Sequence, residues 1–111
     1  MAQYADYELK EKDWKLLRKK LPGWQEAYMD GLVEEYREIL NSPGLSSEKF
    51  WALKKRIRDD QKNPGVLITD LRRSTMTWTI QALLNYGVIT LNDLCDFSEE
   101  LQARMKYLTE E

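Results

Sequence analysis

Three Pro-Gly pairs divide the chain at equal intervals. They are Pro22-Gly23, Pro43-Gly44 and Pro64-Gly65, and successive pairs lie 21 residues apart in a chain of 111 residues. Proline lacks a backbone N–H and glycine has the greatest backbone freedom, so each pair is typical of a turn or a helix end. The interval predicts helix–loop units of about twenty residues. The segments between the pairs share no side-chain pattern, so they do not form a sequence repeat.

The apolar residues on both sides of the first pair recur with helical spacing. Residues 6–21 and residues 23–40 each predict a helix, and Pro22 suits the first turn of the second one. The two helices are then joined by a tight bend, or they form one kinked helix. The apolar stripes are Tyr7, Trp14, Leu17 and Leu21 in the first segment, and Met29, Leu32, Val33, Tyr36 and Leu40 in the second.

Beyond the second pair, the apolar residues between 50 and 57 predict a third helix. Residues 74–80 alternate between polar and apolar, which is typical of a strand. The helical spacing of Met76 and Ile80, and the position of Gly87 as a C-cap, favour a helix instead. We therefore predict a helix over about residues 66–86, with a strand at residues 74–80 as the alternative.

The C-terminal part of the chain carries helix-capping signals. Residues 90–93 have the layout of an N-terminal cap that begins a short helix, and Ser98 is placed to cap a last helix. The chain therefore predicts an all-α fold, a compact bundle of five to six helices in one domain, residues 1–111. Within it, residues 1–62 form charged N-terminal helices, and residues 66–111 form a subdomain of helix, short helix and helix.

Part of that subdomain resembles a known helical motif. The string is Leu83-Leu84-Asn85-Tyr86-Gly87-Val88-Ile89-Thr90-Leu91-Asn92-Asp93-Leu94, followed by Phe97-Ser98-Glu99-Glu100-Leu101. It is similar to helix-hairpin-helix segments of the type found in the C-terminal domain of the alpha chain of RNA polymerase, which implies the same shape. It does not imply DNA binding, because the turn has one glycine where two are wanted and its flanking carboxylates would repel phosphate.

The residue inventory excludes several chemistries. The chain has no His, which excludes His-based acid–base catalysis and His-containing metal sites. Its single cysteine, Cys95, excludes an internal disulfide and favours a reducing compartment. No apolar run approaches the roughly eighteen residues of a membrane span, and the N-terminus lacks a signal-peptide pattern. We therefore expect a cytoplasmic protein that has no cofactor, no catalytic residue and no membrane contact.

The net charge of −2 is the balance of separate charged rows. An acidic row recurs at four-residue spacing within residues 23–40 and so lies on one side of a helix. Like charges at this spacing destabilise a helix by roughly a few tenths of a kcal/mol per pair. A neighbouring basic helix, a second copy or a cationic groove on a partner would offset that repulsion. The acidic row is Glu26, Asp30, Glu34 and Glu38, and the basic rows are Lys12, Lys15 and Lys19, and Lys55, Arg58 and Lys62.

Trp and Tyr are unusually frequent among the aromatic residues. The chain has four Trp and six Tyr against two Phe. Trp and Tyr are favoured at partly wet interfaces, although they also pack between small helices. Trp24 and Tyr28 lie beside the acidic row, so we predict that they anchor a bound partner there.

Three strings of the chain resemble a group of known proteins. They are Leu9-Lys-Glu-Lys-Asp-Trp14-Lys-Leu-Leu-Arg-Lys-Lys-Leu-Pro-Gly-Trp24-Gln-Glu-Ala-Tyr28, Phe50-Trp51 and Arg72-Arg73-Ser74-Thr75-Met76. They resemble small uncharacterised proteins of bacterial mobile elements, some of which are anti-CRISPR inhibitors of type II RNA-guided nucleases. The resemblance implies action by binding, with a CRISPR nuclease or its guide-RNA complex as the partner.

We therefore predict a non-enzymatic protein-interaction module, an inhibitor encoded by a mobile element or phage that binds a host nuclease complex. We also expect a homo-oligomer, most simply a dimer. One alternative is a small protein that binds guide RNA or the DNA backbone through the two basic rows. A second alternative is a carboxylate-metal enzyme, for which Glu35 and Glu38 supply only half of a helical site.

Overall fold

The computed structural model describes residues 7–109 of the chain. It has four α-helices and two 3-10 turns, and no strand among those residues. The all-α prediction is confirmed, although the predicted five to six helices exceed the four present. The ends of the predicted domain, residues 1–6 and 110–111, lie outside the described residues. The helices are α1 (Glu11–Asn41), α2 (Ser46–Asp60), α3 (Met76–Asn85) and α4 (Glu99–Thr109), with 3-10 turns at Arg73–Thr75 and Leu91–Leu94.

The first Pro-Gly pair does not end a helix, because α1 continues through it for 31 residues. Pro22 has no N–H to bond the carbonyl of Arg18, and a proline inside a helix typically costs about 3 kcal/mol. Packing on both sides of the proline offsets this cost. Leu21 lies in the core, and the ring of Trp24 stacks on Phe97 with centroids 6.2 Å apart. The tight bend between two helices is therefore wrong, and of the alternative, one kinked helix, the single helix is confirmed.

The other two Pro-Gly pairs lie in turns, as predicted. Pro43-Gly44 is in the loop between α1 and α2, where Gly44 has a positive φ of 137°. Gly65 is buried against Tyr28 and Val88 after the end of α2. A Cβ at this position would overlap the Tyr28 ring and lie 2.8 Å from Cγ2 of Val88. The third pair therefore needs its glycine because the backbone closely approaches a ring.

One hydrophobic core joins the first part of α1 to α3 and α4. We refer to residues 7–28 and 63–109 as the head. Its core draws on both parts of the predicted division of the domain, because residues of α1 pack among residues from the C-terminal segment. The buried apolar residues are Trp14, Leu17, Leu21, Met76, Ile80, Leu83, Ile89, Leu94, Phe97, Leu101 and Met105.

A fully buried carboxylate ties α1 to α4 within the head. Asp13 accepts hydrogen bonds from the Tyr7 hydroxyl at 2.6 Å and from the Ser98 N–H and hydroxyl at 2.8 and 2.6 Å. The Ser98 hydroxyl oxygen also accepts a bond from the Leu101 N–H at 3.2 Å, so Ser98 caps α4 as predicted. Burial, and then the hydrogen bond to Asp13, raises the pKa of Tyr7 far above its ordinary value.

The segment of uncertain type is helical over residues 74–80, but the predicted helix does not begin at residue 66, because residues 67–72 form no helix. A 3-10 turn leads directly into α3, so the strand alternative is wrong. The helix ends at Gly87, as predicted, where φ is +74°. The Val88 N–H donates to the Leu83 carbonyl at 2.9 Å, and the Gly87 N–H donates to the Leu84 carbonyl at 3.1 Å. This is the Schellman pattern, which satisfies the last free carbonyls of the helix.

The second part of α1 and the whole of α2 form a helical hairpin that projects from the head. We refer to this hairpin, residues 29–62, as the arm. Its junction with the head is polar: the Asn63 side-chain amide donates to the Tyr28 hydroxyl at 2.8 Å, and that of Gln25 donates to the Pro64 carbonyl at 3.0 Å. Leu32 is the one buried residue of the arm.

The arm makes the molecule elongated. Its principal extents are 58, 27 and 21 Å, and its radius of gyration is 17.1 Å, whereas a compact chain of this length has roughly 13 Å. The predicted compact bundle is therefore wrong in shape, because α1 extends past the core instead of turning back at Pro22. None of the helices within residues 7–109 is both long and apolar enough to span a membrane.

Candidate interaction surface

The predicted acidic row lies on the side of α1 that faces away from α2. Its four carboxylates are exposed, whereas Leu32 on the opposite side of the helix is buried. Within the row, Oε1 of Glu34 lies 3.7 Å from Nε of Arg37 in an exposed ion pair. Exposed pairs of this kind contribute little, so the row presents its negative charge to solvent. The row is Glu26, Asp30, Glu34 and Glu38.

The first basic row continues the same side of α1 toward the head. Lys12, Lys15 and Lys19 are exposed and line a shallow groove of about 610 Å³, which Asp96 also borders. Lys19 and Glu26 are seven residues apart, which places them on one side of the helix. The outer side of α1 is therefore basic before Pro22 and acidic after it.

The second basic row lies on a different surface, the side of α2 that faces away from α1. Lys55, Arg58 and Lys62 are exposed there. Nζ of Lys54 lies 5.1 Å from the ring centre of Trp51 nearby, a cation–π contact. The structure therefore separates the two basic rows, which face different directions.

The two predicted aromatic anchors are used inside the chain. Trp24 is half-buried and stacks on Phe97 of the core. Tyr28 is half-buried too, with its hydroxyl bonded to Asn63 and its ring against Gly65. Both side chains hold the junction between head and arm, so they position the acidic row but offer it little free aromatic surface.

Sequence reasoning missed an apolar face on the arm. The periodicity assigned Val33, Leu40, Phe50 and Ile57 to helix stripes, where burial is expected. In the structure they are 47, 47, 60 and 40 % exposed. The sequence did contain a signal for this face. A hairpin of two helices has a single helix–helix interface, so it cannot bury wide apolar stripes on both helices. We refer to these four residues as the apolar face.

The four residues share one side of the arm. A guanidinium N–H of Arg56 donates to Oε1 of Glu35 at 2.6 Å on the opposite side. Successive residues are rotated by about 100° around the helix axis. Val33 and Leu40 therefore lie on the side of α1 opposite Glu35. The same rotation per residue places Phe50 and Ile57 on the side of α2 away from Arg56, on the same side of the arm as Val33 and Leu40. Phe50, Leu53 and Ile57 there line a groove of about 340 Å³, flanked by Lys54 and Arg58.

A second polar contact closes the arm along its helix–helix seam. The Tyr36 hydroxyl donates to Oδ2 of Asp60 at 2.5 Å, and Nε of Arg56 lies 3.1 Å from the same oxygen. Burial, and then the hydrogen bond to Asp60, raises the pKa of Tyr36 to about 12. Ion pairs and hydrogen bonds thus help to join α2 to α1, whereas the helices of the head are joined by apolar packing.

The described residues show no site suited to metal chemistry. Within residues 7–109, no three His, Cys, Asp or Glu side chains come close enough together to hold a metal ion. Glu35, half of the considered carboxylate site, is paired with Arg56 instead. Cys95 is exposed as a free thiol.

No protein-family model matches this chain, and no similar curated protein or solved structure is found. Its function is therefore inferred from the surface of the arm, which carries an acidic row, a basic row and an apolar face.

Proposed function

We propose that this chain is a non-enzymatic interaction protein, an inhibitor encoded by a mobile element or phage that binds a type II RNA-guided nuclease complex. The observation that carries the proposal is the acidic row on a helix that projects from the head. The row sets four negative charges at intervals of about 6 Å over about 18 Å. Nucleases of this class hold their guide heteroduplex in a positively charged channel, which such a row complements.

The construction of the arm supports this use of the row. The head keeps its own core, so the arm can enter a groove without exposing any of the core residues. Trp24 and Tyr28 fix the base of the arm against the head and so fix the direction in which the row points. Charge complementarity of this kind speeds association and selects the partner more than it adds affinity.

The test is cleavage of a DNA target by purified type II RNA-guided nucleases in the presence of this protein. We expect inhibition that weakens as salt is raised, because the contact is between charges. The double variant Glu34→Lys/Glu38→Lys should inhibit at least about tenfold less, a difference of roughly 1.4 kcal/mol. A matched control, Glu8→Lys/Glu99→Lys, makes the same charge change on exposed residues of the head and should inhibit as the wild type does.

Two results would overturn the proposal. One is unchanged cleavage by every nuclease of the class at saturating protein. The other is equal inhibition by the row variant and its control, which would show that the row is not the contact.

A second candidate function, nucleic-acid binding, is favoured by the groove that Lys12, Lys15 and Lys19 line. Three lysines on one exposed side of a helix are suited to a phosphate backbone. Binding of a labelled RNA or DNA should then fall steeply with salt and be lost in Lys12→Glu/Lys15→Glu. Absence of binding at low ionic strength would remove this candidate.

A further inference from the structure

We infer that the apolar face of the arm is covered by the same face of a second copy of this chain, so that two arms form an antiparallel four-helix bundle. The face is Val33, Leu40, Phe50 and Ile57, all exposed in the single chain. This inference does not depend on the proposed inhibition. Measurement of the oligomeric state tests the dimer, whereas nuclease cleavage tests the proposed inhibition.

The arm lacks the packing that normally stabilises helices of its length. α2 has 15 residues and none of them is buried. Isolated helices of about this length are marginal in water, and most helical stability in proteins comes from packing of an apolar face. A partner that covers α2 and the second part of α1 together supplies that packing.

The arm is complementary to itself in register. The Glu35–Arg56 pair sets those residues level across the two antiparallel helices. Equal steps from that pair bring Val33 level with Arg58, one residue from Ile57, and Leu40 level with Trp51, one residue from Phe50. A two-fold axis parallel to the helices preserves these levels and places α1 of each copy against α2 of the other. Val33 then packs on Ile57, and Leu40 on Phe50, across the interface.

Charge favours this arrangement over other occupants. The arm portion of α1, residues 29–41, carries four acidic residues and one basic residue, whereas α2 carries five basic residues and three acidic ones. Lys54 and Arg58 flank the groove on α2. Placing α1 against α2 of the other copy sets a net negative segment beside a net positive helix on both sides of the interface, and the closed pair covers the apolar face of both copies. Of the acidic row, Asp30 lies nearest the edge of the interface, and Glu34 and Glu38 stay exposed on the outside of the bundle.

The first measurement is the mass of the protein in solution by light scattering and analytical ultracentrifugation. We expect twice the chain mass of 13.2 kDa at micromolar concentrations. If the protein is still a monomer at about 100 μM, its dimerisation constant is too weak for a specific dimer, and the inference is overturned.

The second measurement locates the interface. Phe50→Lys/Ile57→Lys should weaken dimerisation at least about tenfold. The control Leu67→Lys/Trp78→Lys changes exposed apolar residues of the head and should leave the dimer intact. Equal behaviour of the two double variants overturns the assignment of the face.

Because new lysines can also unfold the arm, a charge exchange supplies a second test. Arg58→Glu should weaken the dimer, and Asp30→Lys in the same chain should restore it.

The third measurement tests which helices meet. In a Cys95→Ser background, chains with Val33→Cys are mixed with chains carrying Ile57→Cys and oxidised. We expect mixed disulfide-linked dimers in preference to dimers of either single type. A dominant product that joins two Val33→Cys chains would place α1 against α1 and overturn the arrangement.

Discussion

The head and the arm use the same secondary structure but are held together differently. In the head, apolar side chains from α1, α3 and α4 are buried around one core. In the arm, Leu32 alone is buried, and polar contacts such as the ion pair of Arg56 with Glu35 help to join α2 to α1. Helical content is therefore a poor guide to what stabilises each part of this chain.

The arm exists because α1 is shared between the two parts. Starting a helix is costly, whereas extending one adds a hydrogen bond for each residue fixed. The core fixes α1 at Trp14, Leu17 and Leu21, so the arm portion of the helix grows from a segment that is already ordered. α2 has no such support, and it depends on its contacts with α1.

The largest expected effect on stability is at Asp13, the buried hydrogen-bond acceptor of the head, which has no counterpart in the arm. Asp13→Ala leaves the Ser98 N–H and the Tyr7 hydroxyl without their acceptor in a buried place. We expect a loss of about 4 kcal/mol in the free energy of unfolding, measured by urea denaturation. The control Asp96→Ala removes an exposed carboxylate paired with Lys20 and should cost less than about 1 kcal/mol. Equal losses would mean that Asp13 is not a structural tie.

The next prediction compares one leucine from each part. Leu17 is fully buried in the head, so Leu17→Ala should lower the free energy of unfolding by about 3 kcal/mol. Leu40 is about half exposed in the arm, and Leu40→Ala should cost about 0.5 kcal/mol in dilute solution. Calorimetry of both variants checks the difference. A comparable loss at Leu40 in the monomer would show that the arm has a core of its own.

The sequence predicted the head better than the arm, for a physical reason. Caps and turns depend on neighbours within a few residues, so the roles of Gly87 and Ser98 were predictable and are confirmed. Burial depends on which elements meet. Periodicity identified the apolar sides of the helices but not that Val33 and Phe50 would lack a partner within the chain.

The charged rows were predictable as rows but not as surfaces. Four-residue spacing is enough to put Glu26 and Glu38 on one side of a helix. Which way that side faces depends on α2, and nothing local to α1 encodes the position of α2. Local rules mislead at Pro22 as well, because the contacts of Leu21 and Trp24 with the core outweigh the preference of proline for a helix end.

A substitution at the proline tests how head and arm share one helix. Pro22→Ala restores an N–H for the Arg18 carbonyl and adds a better helix former in the interior of α1. We expect the free energy of unfolding to rise by about 2 kcal/mol, with an unchanged helical signal in circular dichroism. A fall in stability would instead indicate that Pro22 suits a bend between two helices. Pro43→Ala, in the loop after α1, serves as the control and should change the stability by less than about 1 kcal/mol.

The smallest expected effect concerns the polar seam of the arm at alkaline pH. The pKa of Tyr36 is raised to about 12, so its folded form holds the proton more tightly than the unfolded chain, whose tyrosine pKa is about 10. The stability contributed by this phenol is therefore fully present below pH 10 and is lost as the pH rises through 12. NMR titration of isotope-labelled tyrosine rings should give a midpoint near pH 12 for Tyr36, and Asp60→Asn should move it down because the carboxylate is gone. An ordinary midpoint in the wild type would mean that the hydrogen bond to Asp60 does not form and that the arm is looser than its helices suggest.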